Sequence, residues 1–493
     1  MGKRRVYNPY LPAWEFTPDC EPHVFGGRVY VFGSHDSAHG PHYCVGDYVS
    51  WSAPVDDLSD WRYEGVVWRR GDDPTNGQLM GYSAPDVCQG PDGRYYLYYF
   101  FTEFPLTMGV AVCDESAGHY SYLGKVCLPS GEVLTADAHF GMPFDPAVYV
   151  EGDRAWLYWG FSIRPSDGTG ALAGQELPEA FRQGSFVAEL GPDMRTMRSD
   201  PKPFVPGTSE AAGTSFKEHP FLEASSFRKL GGRYYFVYSS AQGHELCYAI
   251  CDAPDEAPRE FGGVIVSNGD VGMPGVVDEG GAVYYLGNNH GGLVQLGERT
   301  YVFYHRHTQG TQCSRQDCAE EVHVAADGSI AQVEITSCGL NDGPLPARGE
   351  LPAYACCHLR SPEGILHYSS HVTWREPHPF VALEDDVYCP TSSTSYVHNL
   401  RDGAEVGYKY LRFDGSERRV SLSCRGGFEG EVRVLLDAPS GPDALELAHV
   451  EVVPKERWES FSAELSGSFE GRFALYLVPE GTGSLDLLSV SFS

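Results

Sequence analysis

The sequence has few basic residues and lacks any long apolar run. Lysine and arginine total 36 against 67 aspartate and glutamate residues, which gives a formal net charge of −31 at pH 7. Such an acidic chain repels phosphate, so nucleic acids and anionic membranes are poor partners for it. No apolar stretch approaches the roughly 20 residues that cross a bilayer, so we expect no membrane span. At 493 residues the chain is too long for one ordinary domain.

Targeting and metal-binding signals are also sparse. The start Met1-Gly2-Lys3-Arg4-Arg5 is basic, but no apolar segment follows it, and Val6 stands where a myristoylation signal has serine or threonine. We therefore expect a cytoplasmic protein. The 14 cysteines include no Cys-x-x-Cys pair, and a disulfide framework would be unusual without an export signal. Most of the cysteines are expected to be reduced and buried.

Long helical periodicity is nearly absent as well. The chain has 57 glycines and 34 prolines, together with 30 tyrosines and 25 phenylalanines. Short aromatic and β-branched runs alternate with turns rich in glycine, aspartate and proline along the whole sequence. This pattern is typical of an all-β protein with many short strands.

One short pattern recurs five times: a tight turn, then an arginine, then an aromatic-rich strand. The arginines are Arg28, Arg94, Arg154, Arg233 and Arg299, at intervals of 66, 60, 79 and 66 residues. Each follows an apolar stretch and a turn, which predicts the second strand of a hairpin. Five antiparallel units of this size predict a five-bladed β-propeller, within the usual range of about four to eight blades.

Each repeat also has one ionisable residue eight to ten positions before its arginine. These residues are Asp19, Asp86, Asp145, Glu223 and His290. Since the first strand of every blade lines the central channel, the five side chains are predicted to converge around one axis. Carboxylates in one cleft raise each other's pKa, and such clusters mark functional sites. The alternative is that each carboxylate binds backbone or arginine groups within its own blade.

The local sequences around these positions resemble a known enzyme family. The motifs are Pro18-Asp19-Cys20-Glu21-Pro22, Ser83-Ala84-Pro85-Asp86-Val87, Phe144-Asp145-Pro146, Leu222-Glu223-Ala224-Ser225-Ser226 and Asn289-His290-Gly291. Together, and in this order, they resemble glycoside hydrolase family 43, the five-bladed β-xylosidases and α-L-arabinofuranosidases. The resemblance covers roughly residues 5–345.

The resemblance implies an inverting hydrolase in which three carboxyl groups have separate roles. Asp19 matches the general base, Glu223 the general acid, and Asp145 the residue that tunes and orients the acid. Inversion uses two carboxyl groups about 6.5–9.5 Å apart, which leaves room for the attacking water. Glu21 is a rival base, because the family often has Asp-Pro where this chain has Asp19-Cys20. Glu21 lies only seven residues before Arg28, which is shorter than the spacing of eight to ten in the repeats, so Asp19 is the preferred base.

The resemblance also implies ligands outside the carboxyl groups. His290 matches a channel histidine that lies beside a calcium ion, often through water; a hydrogen-bonded structural histidine is the alternative. Arg315 matches a fifth-blade arginine that reaches the sugar. Asp86 is predicted either to contact a sugar hydroxyl or to hold a neighbouring arginine. His219, four residues before the predicted acid, either lines the cleft or has a structural role.

The repeat ends near residue 345, and a different β pattern follows. We expect a propeller over 1–345, a connector over 346–362 and a β-sandwich over 363–493. Residues 405–413 resemble the jelly-roll modules of carbohydrate-binding family 6, which would allow a structural calcium. Trp374, Tyr388, Tyr396 and Trp458 are the aromatic candidates for glycan stacking, although packing in the core is the favoured interpretation for each.

The expected function is an exo-acting glycosidase that removes terminal arabinofuranose or xylose from oligosaccharides derived from xylan or arabinan. The chemistry requires no cofactor. Three alternatives remain open at this stage: a glycan-binding propeller without catalysis, an endo-arabinanase, and a scaffold for protein partners. The oligomeric state is not predicted.

Overall fold

The computed structural model describes residues 5–75, 82–101, 106–137, 139–163, 179–367, 377–385 and 393–493. Nearly all regular structure in these residues is β-strand, as the aromatic and β-branched runs predict. Three short 3₁₀ turns cover Glu179–Phe181, Glu279–Gly281 and Ala353–Ala355. Within the described residues, no helix is long and apolar enough to cross a membrane.

The first five sheets are antiparallel meanders that follow one another along the chain. Their strands are β1 (Glu21–Phe25), β2 (Arg28–Gly33), β3 (Tyr48–Pro54) and β4 (Arg62–Trp68); β5 (Tyr82–Gln89), β6 (Tyr95–Phe101), β7 (Met108–Cys113) and β8 (Ser121–Lys125); β9 (Ala147–Glu151), β10 (Arg154–Gly160), β11 (Ser185–Leu190) and β12 (Lys202–Pro203); β13 (Phe221–Leu230), β14 (Arg233–Ser240), β15 (Leu246–Cys251) and β16 (Phe261–Val266); β17 (Leu293–Leu296), β18 (Arg299–His307) and β19 (Arg315–Val322).

These sheets form the predicted five-bladed propeller. The innermost strands make a closed ring, in which β1 contacts β5, β5 contacts β9, β9 contacts β13, β13 contacts β17, and β17 contacts β1. Each repeated arginine stands at the start of the second strand of its blade or directly before it. Buried aromatic side chains fill the space between neighbouring blades, as in the cluster around Tyr158, Phe227 and Phe236. The repeat therefore predicts both the number of blades and their register.

The remaining strands form two six-stranded sheets. They are β20 (Leu345–Pro346), β21 (Gly349–Pro352), β22 (His358–Arg360), β23 (Phe380–Leu383), β24 (Ser395–Leu400), β25 (Glu405–Asp414), β26 (Arg419–Gly426), β27 (Glu429–Leu436), β28 (Leu445–Val452), β29 (Lys455–Glu464), β30 (Glu470–Thr482) and β31 (Leu485–Phe492). Apolar side chains of both sheets, such as Tyr408 and Leu422, share one core. The arrangement is a two-layer β-sandwich.

The predicted connector, 346–362, is wrong in its role. Residues 349–352 pair with β31, and residues 358–360 pair with β25, so both segments are edge strands of the sandwich. Their short length and flanking prolines read as a linker in the sequence, but the open edges of the two sheets offer backbone groups that bind them. The two domains are joined directly: Lys409 Nζ of the sandwich lies 3.1 Å from Asp270 Oδ2 of the propeller.

The cysteines of the described residues are free thiols, and most are buried. This agrees with the prediction of small reduced core residues.

Candidate active site

The start of the innermost strand has the same backbone distortion in four blades. Asp19, Ala84, Asp145 and Ala224 have φ values of 60°, 35°, 46° and 66°, in the left-handed region that residues with a side chain seldom adopt. Each lies nine or ten residues before the arginine of its repeat, and His290 holds the equivalent place in the fifth blade. Strain of this kind is kept where function requires it.

We call Asp19, Ala84, Asp145, Ala224 and His290 the first ring. Glu223 directly precedes Ala224, and a β-bulge between Glu223 and Ser226 interrupts the pairing of β13 with β14 there. Bulges re-aim side chains beside active sites. The first ring therefore brings Asp19, Asp145, Glu223 and His290 together, as the spacing predicts.

Asp19 is buried, and both of its carboxylate oxygens accept hydrogen bonds. Arg315 Nη1 donates to Oδ1 at 2.8 Å, and Ser34 Oγ donates to Oδ2 at 2.6 Å. Arg315 is itself held by Asp36, because its Nε donates to Asp36 Oδ2 at 2.8 Å. The guanidinium thus stabilises the negative charge of Asp19, which is the state that a general base needs.

The main chain of Asp19 is held by a neutral histidine. The backbone N–H of Asp19 donates to His305 Nδ1 at 3.2 Å, and His305 Nε2 lies 2.9 Å from the carbonyl oxygen of Asn288. Because Nδ1 accepts, the ring proton is assigned to Nε2. Burial, with Arg315 and His290 nearby, holds the pKa of His305 well below its ordinary value. His305 is therefore a neutral acceptor that fixes the left-handed turn.

Asp145 and His290 form a charged pair in the same ring. His290 Nδ1 lies 3.4 Å from Asp145 Oδ2, and the same oxygen accepts the backbone N–H of Ala224 at 2.9 Å. Burial opposes the charged imidazole, but the facing carboxylates, Asp145 above all, raise the pKa of His290 well above its ordinary value. The hydrogen bond to Ala224 also ties Asp145 to the bulge that carries Glu223.

Glu223 is the carboxyl group with the most altered acidity of the three. Burial, then the neighbouring charge of Asp145, raise its pKa to about 8, while His290 opposes the rise. A carboxyl group with this pKa is mostly protonated at neutral pH, so it can donate a proton. The side chain is only half-buried, in contrast to Asp19 and Asp145.

Asp86 has firm protein partners, and its contact with a sugar stays a prediction. Its side chain is fully buried, His23 Nε2 donates to Oδ1 at 2.6 Å, and the backbone N–H of Val148 donates to Oδ2 at 2.7 Å. Burial opposes the ionised form, yet His23, with help from Arg228, holds the pKa of Asp86 below its ordinary value. Asp86 lies two residues beyond Ala84 of the first ring, and therefore further along the channel.

Arg315 and His219 have firm protein partners. Arg315 is nearly enclosed between Asp36 and Asp19, and Tyr43 lies over its guanidinium at 4.8 Å. His219 Nδ1 lies 2.6 Å from Glu245 Oε1, and its ring stacks on Phe261 at 4.6 Å. Contact of either side chain with a sugar stays a prediction.

The residues around His290 do not fit the calcium ion that the resemblance implies. Both ring nitrogens face carboxylates, Nδ1 that of Asp145 and Nε2 that of Glu21 at 3.6 Å. A charged imidazole has no lone pair to offer, and calcium takes about six to eight oxygen ligands. Glu21 is in addition paired with the guanidinium of Arg228. The histidine is an ion-pair partner of two carboxylates.

Two of the sandwich aromatics are covered by an arginine. Arg425 lies over the Tyr396 ring at 4.7 Å and over the Trp458 ring at 4.3 Å. Their ring faces are thus already used, which favours packing over glycan stacking for this pair. Trp374 and Tyr388 lie outside the described residues. The resemblance to family 6 modules stays a prediction.

Sequence reasoning missed the residues that hold the predicted ones in place. These are Ser34, Asp36, His305 and Arg228, which come from neighbouring loops and blades. Arg228 alone had a signal, because it follows the motif Glu223-Ala224-Ser225-Ser226 by two residues.

Comparison with known proteins identifies the family of the chain. Residues 15–330 match Glycosyl hydrolases family 43. A "Xylosidase/arabinosidase" of Thermoclostridium stercorarium is 43% identical over 99% of both chains. A second "Xylosidase/arabinosidase", from Bacteroides ovatus, is 29% identical over 66% of this chain and 97% of its own. A solved GH43_1 enzyme from Xanthomonas citri has the same fold, with a TM-score of 0.51, 24% identity, and coverage of 67% of this chain and 94% of its own.

Proposed function

The chain belongs to glycosyl hydrolase family 43 and is a glycoside hydrolase, and we propose that it is an inverting exo-enzyme. Its substrates would be short oligosaccharides of xylan or arabinan, from which it releases terminal α-L-arabinofuranose or β-D-xylose. The two curated relatives described above both have names that combine these activities. The observation that carries the proposal is the raised pKa of Glu223, about 8, beside Asp145 and near Asp19.

The three carboxyl groups divide the chemistry of a single displacement. Asp19, which accepts hydrogen bonds from Arg315 and Ser34, takes a proton from a water molecule that attacks the anomeric carbon. Glu223 gives its proton to the glycosidic oxygen as the bond to the leaving sugar breaks. One proton is taken and one is given, and the configuration at the anomeric carbon is inverted. No cofactor is needed for these transfers.

Asp145 has an indirect role in the proposal. Its negative charge raises the pKa of Glu223. Burial raises the pKa of Asp145 itself, while His290 opposes that rise and holds the side chain in place. The backbone N–H of Ala224 donates to Asp145, so the residue also fixes the bulge that aims the acid. Asp145 is thus a positioning and tuning residue, and Glu223 is the proton donor.

The test compares two substrates of different leaving-group quality. Wild type should hydrolyse p-nitrophenyl α-L-arabinofuranoside or β-D-xylopyranoside as well as the natural oligosaccharides. Glu223→Gln should lose about 10²–10⁴-fold on the oligosaccharides. The loss should be much smaller on a dinitrophenyl glycoside, because that leaving group needs no proton. Arg259→Ala, an exposed change outside the channel, is the control.

Three results would contradict the proposal. Equal losses of Glu223→Gln on both substrates would remove its role as acid. Retention of configuration in the first-formed sugar, measured by NMR, would exclude inversion. If wild type bound oligosaccharides but hydrolysed none of them, the alternative of a glycan-binding propeller would be correct.

A further inference from the structure

A second group of residues, three of them polar, lies two positions beyond the first ring in the inner strands. We call Glu21, Asp86, Ala147, Ser226 and Gly292 the second ring. Glu21 and Asp86 are fully buried, and with His23 their ligand atoms all lie within 4.8 Å of one another. Two carboxylates and an imidazole are a donor set that suits divalent metals.

The cation that contacts these residues is a side chain of the same protein. Arg228, from β13, reaches across to blade one, where its Nη2 donates to Glu21 Oε2. The same nitrogen lies 3.3 Å from the carbonyl oxygen of Pro22 and 3.3 Å from His23 Nε2. The guanidinium therefore contacts two of the three ligand side chains, and its charge also acts on the third, Asp86.

The rest of the second ring is shaped around the Glu21 carboxylate. Ser226 Oγ donates to Glu21 Oε2 at 2.9 Å. A Cβ at Gly292 would lie 2.6 Å from Ser226 Oγ and 2.7 Å from Glu21 Oε2, so a larger residue there would displace these side chains. Glu21 Oε1 is buried, has no hydrogen-bond partner in the described part of the chain, and faces His290 Nε2 at 3.6 Å. Glu21 thus lies between two cationic side chains.

We propose that Glu21, His23 and Asp86 form a cation site whose resident cation is the guanidinium of Arg228. The chain therefore binds no divalent metal at this position of its channel. Once Arg228 is removed, the same three side chains bind a divalent ion. The proposal concerns cation binding and goes beyond the glycosidase activity, on which it does not depend.

The physical reason is charge balance in a buried place. Burying two carboxylates without cations costs several kcal/mol for each ion, on the order of magnitude seen for buried ions in proteins. An arginine is charged at every relevant pH and offers several N–H donors in one plane. The side chain of Arg228, which is 12% exposed, supplies that charge. No metal ion from solution is then needed.

The first experiment measures metal binding by the wild type. Protein treated with EDTA and then dialysed is titrated with CaCl₂, MnCl₂ and ZnCl₂ by calorimetry, and its thermal midpoint is recorded with and without each salt. We expect no binding in the channel and no shift of the midpoint. A stoichiometric Ca²⁺ or Mn²⁺ site that Glu21→Gln removes would overturn the proposal.

The second experiment removes the resident cation. Arg228→Ala should melt several degrees lower than wild type and should recover part of that loss with millimolar MnCl₂, ZnCl₂ or guanidinium, because ligands of the native state stabilise it by mass action. Arg228→Lys should lose less and gain nothing from metal. Arg259→Ala, in the same blade but at the surface, should respond to none of the additions.

Solubility of the variant does not decide the test. If Arg228→Ala folds only when it is refolded with a divalent cation or guanidinium, the proposal is supported. If it gains neither folding nor stability from any of these cations, the site does not bind cations and the proposal is wrong. The double variant Arg228→Ala with Asp86→Asn should lose the metal response, since one of its ligands is gone.

Discussion

Carboxylates meet cationic side chains at both rings of the channel, and the two rings with their neighbouring residues differ in charge balance. In the first ring, Asp19, Asp145 and Glu223 share two cations, Arg315 and His290, and one carboxyl group is left with a pKa of about 8. In the second ring, Glu21 and Asp86 face Arg228 and His23. There the pKa of Asp86 is lowered.

This difference shows that residue type alone does not make a carboxylate in the channel catalytic. A carboxyl group whose charge is matched by a neighbouring cation stays ionised and holds the structure together. A surplus carboxyl group close to another negative charge retains its proton and becomes an acid. The following predictions change one ring at a time, from the largest expected effect to the smallest.

Replacing the proposed base should have the largest effect. Asp19→Asn should lower kcat/KM by about 10²–10⁴-fold on every substrate, whatever its leaving group, because the water is no longer deprotonated. Steady-state kinetics with oligosaccharide and dinitrophenyl substrates check this. The matched variant is Glu21→Gln of the second ring, the rival base, which should melt lower but remain active. The reverse pattern would make Glu21 the base.

Removing the tuning charge should move the pH profile. Wild-type kcat/KM should fall as the pH rises through about 8, where Glu223 loses its proton. Because Asp145 raises that pKa, Asp145→Asn should shift the basic limb to lower pH, and activity at pH 7 should drop. A pH–rate profile of both proteins measures the shift. An unmoved basic limb would show that another group controls it.

Breaking the second ring should cost stability rather than catalysis. Asp86→Asn removes a buried ion-pair partner of His23 and should destabilise the fold by about 1–3 kcal/mol at pH 7. Since the folded pKa of Asp86 is lowered, its contribution is present above the unfolded value of about 3.9 and is lost as the pH falls through the folded value. Denaturant curves of the variant and of wild type should therefore still differ at pH 4, as they do at pH 7, and should converge only as the pH falls below about 3.9 and through the folded value.

The smallest change deletes one hydrogen bond. Ser226→Ala removes the donor to Glu21 Oε2 and should cost about 1 kcal/mol, as Arg228 still pairs with that oxygen. The pH–rate profile should stay as in wild type. A shifted basic limb in this variant would mean that the second ring also tunes Glu223, and the distinction between the rings would fail.

The position of Asp86 shows where the spacing of a repeat stops being informative. Asp86 lies eight residues before its arginine and Asp19 nine, which looks like one ring in the sequence. In the structure, Asp86 is the fifth residue of β5, whereas Asp19 and Asp145 precede their strands. A bulge between Ser83 and Asp86 absorbs the difference. Counting residues does not reveal such an irregularity.

The sequence by itself determined the five blades, the strand register and the three carboxyl groups of the site. Hairpins, turns and the recurring arginine are local features, and closure of the ring follows from their number. Only the tertiary structure decided which cation stands beside which carboxylate. Arg228 is distant from Glu21 in sequence, and Arg315 is distant from Asp19, yet both pairs are in contact. Charge balance depends on distances of a few ångströms between blades, because electrostatic interactions in a buried channel act between spatial neighbours and not between sequence neighbours.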